Sequence, residues 1–426
     1  MSQTRRPEMI PKSLNVKDLQ DRLLAWFRAH ARVLPWRQTR DPYAIWLSET
    51  MLQQTQVSTV TPYYIRFLQR FPTVEKLAAA ELSEVLSMWA GLGYYRRAKH
   101  LHAAAQKIVA DFAGKVPATS AQLLTLPGVG SYTAAAVASI AFGEPIGVLD
   151  GNVIRVLSRF LALRSDLSQA KNREKLQKAA NFLTSEVHPG RQNEAFMELG
   201  ATICTPTKPL CPDCPLRAHC RAHAQGIQEE LPNKKKPKEI PTLNRVAIVI
   251  SRSPKGPREV LMMQRPLGGT WEQMWEFPVF EVDPAAWAML EASGKKSSIS
   301  VSPPEIPAKG KQPALNWRAH FADVLQERLG ISVELERWLG SQSHQLTHRT
   351  MNYRVLRGHV GKTSGGVDPK LPQCEGGRYV AFRWVRWPNG GRVASQTGTS
   401  AEPMGRITFK IAALAGMMEP ESDRTR

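Results

Sequence analysis

Cysteine is scarce in this chain, with five in 426 residues. So few exclude a disulfide-stapled scaffold as the organising principle. The stretch from Met1 to Ser13 contains Arg and Pro and no apolar core, so a secretory signal is not expected. No apolar run approaches the ~18 residues a membrane span needs, although 42% of the residues are apolar and packed cores are within reach. Acidic side chains are the minority, 37 against 57 Lys and Arg, for a formal charge of +20. That excess points to a polyanion such as nucleic acid. A membrane surface is not the expected partner, because no strongly basic amphipathic helix with Trp or Phe on its apolar face stands out. The length suits two or three ordinary domains, and the expectation is a soluble cytoplasmic protein without a membrane partner.

Four of the five cysteines fall within one short segment. Cys204, Cys211, Cys214 and Cys220 follow the spacing C-x6-C-x2-C-x5-C. Four thiolates so close in sequence can close around one metal centre. Their chemistry leaves a structural zinc site and an iron–sulfur cluster open, with disulfides as the blander reading. Cys374 lies outside the quartet and receives no role.

The periodicity divides the chain in two. Residues 14–225 read as successive helices with apolar spacing of three or four, over 15–31, 41–55, 61–71, 83–88, 96–112, 120–124, 132–142, 153–163 and 171–187. Turn residues separate them, including Gly91-Leu92-Gly93 and His188-Pro189-Gly190. Residues 226–242, with Lys234, Lys235, Lys236 and Lys238 among prolines, read as a basic linker. A mixed α+β domain is expected over 243–418. Its strands lie near 245–251, 260–264, 351–360 and 378–387, its helices over 316–329 and 407–418, and an inserted or disordered loop over 283–313.

Two local patterns carry chemistry. Leu126-Pro127-Gly128-Val129-Gly130 joins a short helix to an apolar one. Gly128 and Gly130 allow a tight turn whose amides and helix dipole suit a phosphate, against the plainer reading of a helix–helix turn. Asp150 precedes the helix starting near Gly151, where it caps that helix and is expected to be held ionised by the dipole and backbone donors. Glu49 falls within a helix begun by Asp41-Pro42, with Ile45, Trp46 and Leu52 as its i−4, i−3 and i+3 neighbours. A carboxyl on an apolar stripe should have a raised pKa and carry a proton. One protonated and one ionised carboxyl is the division of labour of glycoside cleavage.

Several ordered strings resemble the adenine DNA glycosylases of the MutY family, within the endonuclease III superfamily. They are Leu34-Pro35-Trp36-Arg37, the run from Trp46 to Gln56, Gly91-Leu92-Gly93-Tyr94-Tyr95, the run from Leu126 to Tyr132, Leu149-Asp150-Gly151-Asn152-Val153, and the cysteine quartet. The resemblance implies an all-α helix-hairpin-helix domain with an iron–sulfur loop over 204–220, holding one 4Fe–4S cluster. It makes Glu49 the residue that protonates the adenine base at N7, and Asp150 the carboxylate that stabilises the sugar's oxocarbenium carbon. Tyr132 and Asn152 would position this chemistry. Arg32, Leu34, Trp36, Arg37 and Glu194 would line the adenine pocket. Gln54 and Tyr94 would enter the base stack, with Thr55 and Leu92 in the same elements and Gly128 and Gly130 on the backbone. Relatives that cut the strand carry lysine where this chain has Tyr132, so base removal without strand cleavage is implied.

Beyond the linker the resemblance is to a MutT-like (Nudix) domain that reads 8-oxoguanine opposite adenine. Its phosphohydrolase signature is degenerate: Gly269 and Glu276 hint at its start, but residues 322–327 lack the metal-binding glutamates. The lesion-reading loop appears as Leu346-Thr347-His348 after His344. Taken together, these readings imply a monomeric base-excision glycosylase acting on double-stranded DNA with adenine opposite 8-oxoguanine or guanine, at the nucleoid if the source is bacterial. A thymine mismatch glycosylase and a non-catalytic iron–sulfur DNA-binding module are the alternatives.

Overall fold

The computed structural model describes residues 6–233, 240–252, 259–266, 274–293, 316–346, 349–361, 379–386, 404 and 406–417. They fall into two compact units, Met1–Pro237 and Lys238–Arg426.

The first unit is helical: α1 Val16–His30, α2 Pro42–Leu52, α3 Val57–Arg70, α4 Val74–Ala78, α5 Leu82–Trp89, α6 Arg96–Phe112, α7 Ser120–Leu123, α8 Ser131–Phe142, α9 Gly151–Phe160, α10 Ala170–Leu183, α11 Pro189–Thr202 and α12 Arg221–Ala224. Local signals fix the starts. Asp41 accepts from the amides of Tyr43 and Ala44 at 3.1 and 3.3 Å, with Pro42 at the first helical position. Asn15 caps α1 through the Asp18 amide, and Leu19, Leu23 and Phe27 then form its buried stripe. α2 and α8 are buried nearly all round and pack together, with α11 against α8, α9 and α1. These central helices carry the side chains of the site.

The expected turn at His188-Pro189-Gly190 is instead the start of α11. Pro189 sits at its first position, and the expected helix over 171–187 stops at Leu183. The buried face of α11 includes Gln192, Asn193, Glu194 and Glu198, so apolar periodicity passes over it. The linker is shorter than expected. Ile227 and Leu231 pack with Ala222, and Arg159 donates to the Leu231 carbonyl at 3.0 Å, which ties residues 227–231 to the helical unit.

Among the described residues the second unit holds a seven-stranded sheet: β1 Thr242–Ser251, β2 Glu259–Gln264, β3 Trp275–Glu276, β4 Val279–Val282, β5 Val333–Gln345, β6 Thr350–Val360 and β7 Ala381–Arg386. The order is β3-β2-β1-β6-β5, with β4 also on β1 and β7 on β2. β1 and β6 run parallel, with Val246 opposite Arg354, and the other pairs are antiparallel. Alternation along β1 sorts side chains to two cores. Ala247 and Val249 face Ile407 and Ile411 of α15, Arg406–Leu414, while Val246, Ile248 and Ile250 face Phe321 and Leu325 of α14, Trp317–Leu329. Within the expected loop over 283–313, residues Pro284–Ser293 form a helix, α13, which Asp283 caps through the amides of Ala285 and Ala286. Glu276 is buried and bound to Arg265 at 2.8 Å, a structural ion pair.

Candidate active site

A cavity of ≈ 710 Å³ opens between α2, α8, α9 and α11. Its lining brings together Glu49 of α2, Tyr132 of α8, and Asp150 and Asn152 at the start of α9. Arg32, Leu34, Trp36, Arg37 and Glu194 line it too, as do Gln54, Thr55, Gly128 and Gly130 at its mouth. Leu92 and Tyr94 lie outside that lining; Leu92 is buried and Tyr94 exposed. Thr347 and His348 lie outside the described residues, as do Gly269 and Cys374.

Glu49 is only 5% exposed. Burial pushes its carboxyl up to about 7, and the charges of Asp150 and Glu194 push the same way, while the Tyr132 hydrogen bond and Arg37 oppose them. The Tyr132 hydroxyl donates to Glu49 Oε2 at 2.5 Å and also contacts Met197 Sδ at 3.3 Å. Near neutral pH this carboxyl holds a proton part of the time.

Asp150 accepts from the Val153 amide at 2.6 Å and from Asn152 Nδ2 at 2.9 Å. Its pKa is nevertheless raised, because burial outweighs those donors and Arg155. The expected capping of α9 is present, and burial works against the ionisation that the backbone donors favour. The network runs on: Arg155 donates to Asn152 Oδ1 at 2.8 Å and to the Cys204 carbonyl at 2.7 Å. α9 and α11 approach so closely here that a Cβ on Gly200 would lie 2.6 Å from Asn152 Cβ. The hairpin turn is equally tight. Gly128 has φ +73°, and a Cβ on it would lie 2.4 Å from His100 Cβ.

Glu198 carries no signal in the sequence, yet it organises the pocket wall. It accepts from Arg32 Nε and Nη2 and from Arg37 Nη2, each at 2.8 Å. Burial works to raise its pKa, but the hydrogen bonds from Arg32 and Arg37 hold it at about 2. Glu194, also on α11, lies 3.8 Å from Arg37 and 3.5 Å from Arg191. Glu198→Gln removes the charge that Arg32 and Arg37 share, leaving Arg37 with the longer Glu194 contact and the Arg32 carbonyl. It is expected to destabilise the fold by about 3 kcal/mol, read from the denaturant midpoint, and an unchanged midpoint would show that the arginines find water instead.

The four cysteines of the quartet are unpaired and partly buried. Burial pushes Cys214 up to about 12, with repulsion from Cys204, Cys220 and Cys211 adding to it, so the thiols lie within electrostatic reach of one another. Arg159 is buried beside them and donates to Cys204 Sγ at 3.4 Å and to the Thr205 and Pro206 carbonyls at 2.7 and 3.1 Å. Burial holds Cys211, Cys214 and Cys220 against ionisation, which a bound group that supplies positive charge would offset. Among the described residues no three His, Cys, Asp or Glu side chains converge on a single-ion site.

The hairpin, the helices around it and the two carboxyls in one cavity lining define a class. Residues 47–182 match the family model of the HhH-GPD superfamily base excision DNA repair protein. The adenine DNA glycosylase of Rattus norvegicus is 40% identical over 311 residues, 62% of this chain and 60% of that protein. The adenine DNA glycosylase of Schizosaccharomyces pombe is 33% identical over 341 residues, 67% of this chain and 74% of that one. A solved thermostable thymine-DNA glycosylase is 31% identical, with a TM-score of 0.46 over 49% of this chain and 97% of that one. The chain belongs to the adenine DNA glycosylase family. It spans about 60% of the length of the rat relative.

Proposed function

We propose that this chain is a monofunctional DNA glycosylase that hydrolyses the N-glycosidic bond of adenine mispaired with 8-oxoguanine or guanine, after swinging the nucleotide out of the duplex. The observation that carries this reading is Glu49: a carboxyl sealed in the cavity, lifted to about 7 and sharing the lining with Asp150. A base cannot be reached inside the stack, so extrusion must precede chemistry. Once the base is in the pocket, Glu49 gives its proton to the purine. The C1′–N9 bond then breaks with its electron pair going to the base. Asp150 faces the cationic sugar carbon and stabilises it. Water adds to C1′, and its proton returns to Glu49 as carboxylate.

Strand cleavage through a Schiff base needs an amine, and the cavity lining includes no lysine among the described residues. The phenol of Tyr132 is occupied by Glu49. The test is a duplex with adenine opposite 8-oxoguanine, labelled on either strand. Alkali after incubation should cut only the adenine strand, and borohydride should trap no covalent adduct. A trapped adduct, or alkali cutting at thymine instead, overturns the reading.

We assign one 4Fe–4S cluster to Cys204, Cys211, Cys214 and Cys220, supported by the family's thiol spacing and by the Arg159 contact. The cluster holds the loop in shape and takes no part in base release. Stripping it is expected to abolish duplex binding, measured by fluorescence anisotropy alongside loss of visible absorbance. A colourless protein with full affinity would refute this. For the second unit, the resemblance supports recognition of 8-oxoguanine. Glu276 is engaged by Arg265, which argues against metal-dependent nucleotide hydrolysis.

A further inference from the structure

We propose that Arg97 is a positioning residue that clips two separate turns, the end of α2 through Thr55 and the Gly91–Tyr94 loop, into one rigid wedge. Arg97 is buried near the start of α6. Its Nη1 donates to the carbonyls of Thr50, Met51 and Gln53 at 3.1, 2.7 and 2.6 Å. Its Nη2 donates to Thr55 Oγ1 at 3.1 Å and to the carbonyls of Leu92 and Gly93 at 3.4 and 3.1 Å. The guanidinium carbon also lies 5.3 Å from the Tyr94 ring centroid and 5.4 Å from that of Trp89. One cation thus spans both turns.

The backbone it holds would not hold itself. Gln54 and Tyr94 have φ of 58° and 51°, the left-handed region that L side chains rarely adopt. Both side chains are exposed. The carbonyls at the end of α2 have no helical partners, and a positive charge there is favourable. Burial lowers the Arg97 pKa to about 10, so the group remains charged at neutral pH. A lysine ammonium has no planar fork and cannot bridge both turns in this way. The inference rests on the glycosylase reading, in which Gln54 and Tyr94 fill the gap left by the extruded nucleotide.

The experiment uses the full chain, with Arg97→Lys and Arg97→Gln. One duplex is fully paired with adenine opposite 8-oxoguanine. A second sets the target adenine opposite an abasic analogue, where it is already unpaired. 2-Aminopurine beside the target reports extrusion by fluorescence. Both variants should slow single-turnover excision from the paired duplex by about tenfold or more, with the fluorescence rise lost, yet slow the unpaired one by less than about twofold. Equal loss on both duplexes would mean a merely structural role and overturn the proposal, as would no loss on either. Should Arg97→Gln melt early, the Lys variant decides. Tyr94→Ala separates the two readings. If it slows paired excision while Arg97→Lys does not, only the clip fails; if neither matters, the wedge itself fails.

Discussion

Glu49→Gln is expected to lower base release by about 10³-fold, within the range general acids supply, while leaving duplex affinity intact. The introduced amide keeps an oxygen to accept from the Tyr132 hydroxyl, so the cavity wall survives; what disappears is the transferable proton. The same substitution should make the protein more stable, and the pH dependence follows from its cause. Folding lifts this carboxyl from 4.5 to about 7, so between those values the native state holds a proton that the unfolded chain has released. Stability therefore falls as pH rises through that window, by about 3 kcal/mol in total above pH 7. The variant escapes this penalty. Its stability should equal that of the wild type below pH 4.5 and exceed it increasingly up to pH 7, where the difference levels off. In the wild type, base release should decline above pH 7 as Glu49 loses its proton. A variant both slower and sturdier at alkaline pH would mark Glu49 as a functional group maintained against stability. Equal measurable excision rates would instead remove Glu49 from the chemistry, and no excision by either protein would identify a DNA-binding module without catalysis.

Much of this site is legible in the residues because it is local. The Asp41-Pro42 cap fixes the phase of α2, and the phase alone puts Glu49 among Ile45, Trp46 and Leu52. Leu126 to Gly130 announces its turn through two glycines, one of which must adopt positive φ. What stays hidden is what depends on burial of polar groups. Glu198 and the helical course of α11 escape notice, although the resemblance marks Glu194 on it, because a helix that buries carboxylates against arginines lacks an apolar stripe. Arg97 escapes for a related reason: its acceptors are carbonyls, which carry no mark in sequence. Asp150 reads correctly as a cap, but its pKa direction depends on how much protein closes over it, and no local pattern reports that. In the second unit, β5 is hard to recognise because the alternation begun at Val333-Glu334-Leu335-Glu336 is interrupted by register shifts between Leu335 and Arg337 and between Trp338 and Gly340, while β1, buried from Arg245 onward, reads plainly.

Asp150→Asn is expected to slow excision by about 10²- to 10³-fold, the usual consequence of removing one electrostatic partner of a developing charge. The competing role is structural, and the geometry keeps the two apart. Asparagine is as good a helix cap as aspartate, so the Val153 amide keeps an acceptor and α9 keeps its start. The amide that replaces the second oxygen then faces Asn152 Nδ2, donor against donor. Asn152 cannot simply turn over, because its Oδ1 is held by Arg155. That mismatch costs about 1 kcal/mol, partly offset because a carboxylate disfavoured by burial has been removed. Folding and duplex affinity should therefore change little, the latter by less than about threefold, since a neutral amide no longer repels phosphate. The loss falls on the step in which positive charge appears on the sugar. Single-turnover excision at saturating enzyme isolates that step, and anisotropy with the same duplex measures affinity. A wild-type rate in this assay would leave Asp150 as a helix cap and nothing more, and the cavity would then need another anion to carry the chemistry.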